Sequence, residues 1–286
     1  MKFQKIGVVG AGMMGSEIAL CFAQCGYQTI LSDADQARAD KGKANVAAIL
    51  EKRVAKGKLE AGQKEAYLGN ILTTDRLDDM ADCDVVIEAV IEVLDVKHAI
   101  YRKLDAICKP ETVIASNTSS ISITKLASVV GAARTGRFIG THFNSPASVM
   151  KLVEVVPAQL TEDVIVDEVT QLLFAIGKEP VKIKDVTGFA LNRLFHAFYL
   201  EACRLVEDGV ASVEDVDKVC LHGLGHPVGI FKLLDLLGHD LNMNVDQILF
   251  DAYGDRFRPS AYMQRLVDAG MLGKKSGRGF YNYNND

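Results

Sequence analysis

The feature that most constrains this chain is a glycine-rich turn set between an apolar strand and an apolar helix. Gly10-Ala11-Gly12-Met13-Met14-Gly15 follows a short apolar run, residues 2–9, and opens a helical stretch over residues 13–25. A second apolar run, residues 27–32, ends at Asp33. A bare GxGxxG carries little weight, since glycine-rich turns are common. With a strand before it, a helix after it and an acid about 20 residues on, it reads as a dinucleotide-binding fingerprint. Gly10 permits the tight turn, Gly12 lets backbone approach a pyrophosphate, and Gly15 lets the helix pack close to the strand. The helix N-terminus, built from Ala11, Met13 and Met14, offers N–H groups to the phosphate. Asp33 is placed to bind both ribose hydroxyls, and its charge repels the extra phosphate of NADP, so the expected cofactor is NAD. The competing reading is a structural turn followed by a surface acid.

At 286 residues the chain exceeds one typical domain, and two are expected. A net charge of −5 argues against nucleic acid as a partner. No apolar run approaches the ~20 residues of a membrane span, and the first strand starts at once, without a signal-peptide pattern. The six cysteines include no CxxC, and Cys21 and Cys25, one turn apart, read as small core residues. A reduced, cytoplasmic protein is the simplest expectation.

Nearly forty residues separate the second strand from the third, residues 71–73, where a plain crossover needs only about a dozen. An inserted helical arm is therefore expected. Between residues 35 and 65 it carries eight Lys/Arg against five Asp/Glu on an acidic chain. It reads either as a solvated face or as a docking surface for a phosphate-rich ligand. Strands over residues 84–90, 113–116, 137–143, 152–156 and 181–184 alternate with helices over 92–108 and 162–176. This pattern predicts a Rossmann-type, doubly wound α/β fold with a mainly parallel sheet. From residue 185 on the period becomes helical, with a stripe formed by Leu191, Leu194, Phe195, Phe198, Tyr199, Ala202, Leu205 and Val206. The expected domains are thus 1–184, cofactor-binding, and 185–286, all-helical. So broad a stripe in so small a domain points to burial in a partner subunit.

Ligands of such sheets sit at the carboxyl ends of the strands, where Ser119 and His142 fall. None of the six histidines has a second His or a Cys at metal-ligand spacing, so no metal is expected. His196, off the apolar stripe of its helix, is expected in solvent. His142 suits a base that takes a hydroxyl proton as hydride leaves carbon. Glu154 on the neighbouring strand would fix its tautomer; a buried structural pair is the other reading. Ser119 and Asn192 are candidates to hydrogen-bond the reacting oxygen, although Ser119 taken alone reads better as a helix N-cap for the following segment.

Three stretches change that balance: Ser116-Asn117-Thr118-Ser119-Ser120, the segment from His142-Phe143 through Met150-Lys151 to Glu154-Val155, and Gly188-Phe189 through Asn192-Arg193. Together with Gly273-Lys274-Lys275-Ser276-Gly277-Arg278-Gly279-Phe280-Tyr281, they resemble the L-3-hydroxyacyl-CoA dehydrogenase family nearly end to end. The resemblance implies NAD-dependent oxidation of an L-3-hydroxyacyl-CoA to the 3-oxoacyl-CoA, or its reverse. It makes His142 the general base, Glu154 its orienter, and Ser119 and Asn192 the substrate's hydrogen-bond partners. It sets Glu92, Lys97, Asn117, Ser119, Ser145 and Lys275 beside the cofactor, with Glu92 and Lys97 on the helix after the fourth strand. It also favours the docking reading of the basic arm, with Lys52, Arg53 and Lys56 contacting CoA, and a homodimer formed through the helical domain.

The chain departs from the family at several points. Ser145 stands for the asparagine of the usual His-Phe-Phe-Asn-Pro, Thr187 for a proline, and Ile230 and Lys232 for proline and glutamate. These bear on acyl preference and cofactor affinity. Two alternatives are a dehydrogenase of a free hydroxy acid, as in gulonate or carnitine-type relatives, and a non-enzymatic, crystallin-like use of the fold. The basic arm and Met150-Lys151 favour CoA over a free acid. The intact set Ser119, His142, Glu154 and Asn192 speaks against a structural role.

Overall fold

The computed structural model describes residues 3–284; Lys2, where the first strand is expected to begin, lies outside them. The chain divides into two compact units after Val186.

The first unit runs β1 (Lys5–Val9), α1 (Met13–Ala23), β2 (Gln28–Ser32), α2 (Gln36–Ala55), α3 (Ala61–Gly69), β3 (Ile71–Thr74), β4 (Val85–Glu88), α4 (Leu94–Ile107), β5 (Val113–Ser116), α5 (Ile123–Ala127), α6 (Ala132–Thr135), β6 (Phe138–Phe143), β7 (Leu152–Pro157), α7 (Asp163–Ala175) and β8 (Glu179–Lys182). Its eight strands form one sheet in the order β3-β2-β1-β4-β5-β6-β7-β8. Every neighbouring pair is parallel except β6 with β7. All residues of β4, β5 and β6 are buried, because helices cover a parallel sheet on both faces. That is why these strands read as unbroken apolar runs. Strand order reverses between β1 and β4, which opens a crevice beyond their carboxyl ends.

The long β2–β3 connection has two parts. Ala39, Gly42, Val46 and Leu50 are the buried residues of α2; their spacing of three and four puts them on one face, which does the work of an ordinary crossover helix. The end of α2 and all of α3 form the inserted arm; α3 buries no residue fully, but its Tyr67 and Leu68 pack partly buried against the core. Cys21 is fully buried, but Cys25 is exposed, against expectation. The helix stops at Ala23, and Cys25 lies in the exposed turn that Gly26, at φ +86°, closes before β2, so Cys25 never joins the apolar face.

The second unit comprises α8 (Leu191–Glu207), α9 (Val213–Lys218), α10 (Ile230–Leu237), α11 (His239–Tyr253) and α12 (Ala261–Asp268). Tyr199, Cys203, Phe231, Leu234, Leu249 and Met263 lie at its centre. His196 is buried, not solvated: its Nδ1 lies 2.7 Å from Asp246 Oδ1 and 2.9 Å from the Tyr199 hydroxyl. A partner supplied by α11 makes burial of that imidazole tolerable, and hydropathy along one helix cannot register a partner on another. Leu194, which the stripe includes, is conversely 73% exposed.

The tail is held by two buried aspartates. Asp235 on α10 accepts the N–H groups of Phe280 and Tyr281, each at 2.9 Å, and the Tyr283 hydroxyl at 3.0 Å. Asp217 accepts the Tyr281 hydroxyl at 2.9 Å. A side chain at position 279 would collide with the Asp235 carboxylate, so only glycine lets the tail pass.

Candidate active site

The crevice at the β1/β4 reversal is a cavity of about 800 Å³ lined by Gly10, Gly12, Asp33, Arg38, Lys41 and Ala89, among others. Gly10 adopts φ +102°, and a Cβ there would collide with the Ala89 backbone. At Gly15 a Cβ would run into the Gly10 carbonyl oxygen. At Gly12 it would meet no protein atom, so the missing side chain leaves room for something other than protein. No side chain caps the first turn of α1, and no acid lies in it. Its leading N–H groups are thus left to an anion. Asp33 accepts the N–H of Ala11 through Oδ2 and that of Ala34 through Oδ1, both at 2.7 Å. The carboxylate is thereby fixed at the rim of the cavity with lone pairs remaining for hydroxyl donors. A dinucleotide fits this arrangement: pyrophosphate over Gly12 and the start of α1, ribose at Asp33.

A buried polar network lies along the carboxyl ends of β4 and β5. Glu88 is fully buried. Its Oε1 accepts Lys97 Nζ and the Val90 N–H, each at 2.7 Å. Its Oε2 accepts the hydroxyls of Ser116, at 2.9 Å, and Tyr101. Lys97, 1% exposed, also reaches Glu92 Oε2 at 3.1 Å. Glu92 Oε1 in turn gathers the turn after β5, accepting from Thr118 Oγ1, from Ser120 Oγ at 3.0 Å, and from the N–H groups of Ser119 and Ser120 at 3.2 and 3.3 Å. Burial raises the Glu92 pKa, but Lys97 and the donated hydroxyls outweigh it and hold the carboxyl below its ordinary range.

Two expectations are corrected here. Glu92 stands in the loop before α4, which begins only at Leu94; Lys97 is on that helix. The N-cap of α5 is Ser122, which accepts from Lys125 N at 3.2 Å, so Ser119 is not a cap.

His142 and Glu154 face one another across the antiparallel pair as direct register partners. Opposed residues in such a pair hold their Cβ atoms about 5 Å apart, which suits one imidazole and one carboxylate. Nδ1 of His142 lies 2.8 Å from Glu154 Oε2, with Glu154 1% and His142 8% exposed. Asn117 ties the end of β5 to this strand, its Oδ1 accepting the Phe143 N–H at 2.9 Å.

The loop that follows β6 is clamped from below. Glu17 of α1 accepts the Ser148 N–H at 2.8 Å, and the buried Lys178 donates to the carbonyls of Ala147 and Met150. Ser145 in this loop is exposed, with its Oγ 3.9 Å from Met13 Sδ, beside the glycine turn. Arg53 of the arm is half-buried and reaches the Ser148 carbonyl at 3.3 Å, whereas Lys52 and Lys56 are exposed.

Asn192 and Lys275 belong to the second unit. Asn192 is partly buried in the first turn of α8. Lys275 Nζ lies 2.6 Å from both carboxylate oxygens of Asp240. Sequence reasoning passes over Glu88, Tyr101, Glu17 and Lys178. Only Glu88 leaves a trace there, as an acid that closes the otherwise apolar run Val85-Val86-Ile87. Among the described residues no cluster of three or more His, Cys, Asp or Glu is arranged to hold a metal ion. No described helix is long and apolar enough to cross a membrane.

Known proteins match both units of the chain. The 3-hydroxyacyl-CoA dehydrogenase NAD-binding domain matches residues 5–186, and the 3-hydroxyacyl-CoA dehydrogenase C-terminal domain matches residues 188–283. A probable 3-hydroxybutyryl-CoA dehydrogenase of Deinococcus radiodurans is 41% identical over 98% of this chain and 100% of its own length. A 3-hydroxybutyryl-CoA dehydrogenase of Clostridioides difficile is 38% identical over 98% of this chain and 99% of its own. The crystal structure of an (S)-3-hydroxybutyryl-CoA dehydrogenase from Ralstonia eutropha superposes with a TM-score of 0.93 at 39% identity, covering 99% of this chain and 100% of that one. With both modules matched in order and a dinucleotide cradle at the first, the chain belongs to the 3-hydroxyacyl-CoA dehydrogenase family and is an NAD-dependent oxidoreductase.

Proposed function

We propose that the protein interconverts an L-3-hydroxyacyl-CoA and the 3-oxoacyl-CoA, with His142 as general base and Glu154 as the residue that orients it. The observation that carries this reading is the buried 2.8 Å contact between Nδ1 and Glu154. A carboxylate on Nδ1 keeps a proton there, which leaves Nε2 as the acceptor. In oxidation, Nε2 takes the hydroxyl proton while the hydrogen on the same carbon leaves with its electron pair; in reduction it returns the proton. NAD, when bound, supplies the acceptor for that hydride.

Ser119 is held by Glu92 through its backbone, which fixes the turn that carries its hydroxyl. We assign that hydroxyl, with the Asn192 amide, to the reacting oxygen, where donors stabilise growing charge. Asn117, Ser145 and Lys275 are assigned to the cofactor. Lys52 and Arg53 in the last turn of α2, with Lys56 just beyond it, offer cations to the phosphates of CoA. The second unit is proposed to serve substrate and to pair two copies of the chain. A cytoplasmic role in fatty-acid or butanoate metabolism is in keeping with this chemistry, and the four-carbon acyl group named for the relatives is the first to try.

The test is NADH consumption with acetoacetyl-CoA beside free 3-oxo acids at matched concentration. Turnover of the thioester alone is the expected result. Turnover of free acids alone would overturn the CoA assignment and leave the arm as a solvated surface.

A further inference from the structure

The sheet lays out the site in linear order. Asp33 follows β2, the glycine turn follows β1, Glu88 ends β4, Ser116 ends β5 and His142 lies near the end of β6. In register, Val9 pairs with Glu88, Glu88 with Ser116, and Ser116 with Gly140. A dinucleotide with its ribose at Asp33 and pyrophosphate at the glycine turn has only one direction in which to reach His142. Its redox-active ring must then lie over the ends of β4 and β5. The buried network occupies the floor of that stretch.

The network carries unequal charge. Glu88 and Glu92 are two carboxylates that share one ammonium, Lys97, at 2.7 and 3.1 Å. Three further donors satisfy the lone pairs of Glu88 without bringing positive charge: Tyr101, Ser116 and the Val90 N–H. Burial first, and then the neighbouring Glu88 carboxylate, push the Tyr101 phenol well above its ordinary pKa, so it stays a donor. One negative charge is left over; Lys97 is 1% and Glu88 0% exposed, while Glu92, 36% exposed, meets solvent at one edge, so the charge is only partly screened.

The two forms of the cofactor differ at that ring: it is cationic in NAD⁺ and neutral in NADH. We propose that Glu88 is a positioning residue with an electrostatic role, holding Lys97 and Glu92 in a net-negative cluster that strengthens NAD⁺ binding relative to NADH. The proposal rests on the site reading above. Its consequence is a shift of the equilibrium on the enzyme toward the oxidised cofactor, and hence toward the 3-hydroxyacyl side.

The test needs no turnover. The dissociation constant of NADH is measured by fluorescence titration of the full chain, and that of NAD⁺ by displacement of NADH. Glu88→Gln removes one charge and keeps the shape. It is expected to weaken NAD⁺ roughly twentyfold more than NADH, the figure for a unit charge two strand spacings, about 10 Å, away at an effective dielectric of about 20. Glu88→Asp keeps the charge and should preserve the ratio even where both affinities fall. Glu92→Gln, at a side chain 36% exposed, should move the ratio in the same direction, and it carries the test if Glu88→Gln does not fold. A Glu88→Gln or Glu92→Gln protein in which both affinities drop together, with the ratio unchanged, would reduce the network to scaffold and overturn the proposal. A wild-type chain that fails to bind NADH at all would remove the site reading itself, and the proposal with it.

Discussion

His142 and Glu154 meet because the sheet reverses direction once. They are register partners in its antiparallel pair, and the 2.8 Å contact between Nδ1 and Oε2 is buried on a scaffold of backbone hydrogen bonds. A strand pairing fixes this geometry more rigidly than two loops could. It follows that each half of the pair can be altered without moving the other's backbone.

Replacing His142 by Gln should lower turnover by roughly 10²–10⁴-fold, the usual worth of a positioned acid–base group. NADH binding, read by fluorescence titration, should stay almost unchanged, since the cavity around Gly12 and Asp33 does not include His142. Full turnover in this variant would remove His142 as the base.

Glu154→Gln retains an acceptor for Nδ1 but no charge to stabilise the imidazolium that forms. Turnover should fall by roughly 10²-fold or more, again without loss of NADH affinity. If only thermal stability changed, the contact would be a structural pair.

The glycines of the turn separate two kinds of failure. Gly15→Ala drives a Cβ into the Gly10 carbonyl and should cost stability, about 1–3 kcal/mol or more, the usual range for overpacking. Gly12→Ala meets no protein atom and should fold normally, yet weaken NADH at least tenfold. Thermal melts paired with NADH titrations distinguish them. Tight NADH binding by Gly12→Ala would move the pyrophosphate elsewhere.

Asp33→Ser should relax discrimination against NADP. Arg38 and Lys41 line the same cavity and would face the added phosphate once the acid is gone. The ratio of kcat/KM values for NADH and NADPH is the measurement. An unaltered ratio would reject the role of Asp33 at the ribose.

Glu92 predicts a pH dependence. Its pKa is lower in the folded protein than its ordinary 4.5, because Lys97 and the hydroxyl donors outweigh burial. A depressed carboxyl stabilises the fold fully above its unfolded pKa, and the contribution disappears as pH falls through the folded value. The stability gap between wild type and Glu92→Gln, from urea melts, should therefore be present at neutral pH and close below about pH 4.5. With 36% of the side chain exposed, solvent screening keeps the gap modest. A gap that widened on acidification would contradict the assignment.

Much of this protein is legible in its sequence because periodicity and turn chemistry are local. Gly10 and Gly15 determine a tight turn with no room for Cβ atoms, Gly12 keeps the space beside it open, and the strand–helix alternation around them determines a doubly wound sheet. Strand order along the sequence sets Ser119 and His142 at the carboxyl ends of strands, with Glu154 on the strand next to His142, and the family resemblance implies their chemistry. Tertiary structure decided what depends on partners far along the chain. His196 is buried because Asp246, fifty residues away, receives its imidazole. Cys25 is exposed because the helix ends two residues early. Glu88, Tyr101 and Lys97 form one buried network only when β4, α4 and β5 pack together. Hydropathy ranks a glutamate or lysine as a surface residue. Only the fold supplies the opposite charge and the hydroxyls that offset its desolvation.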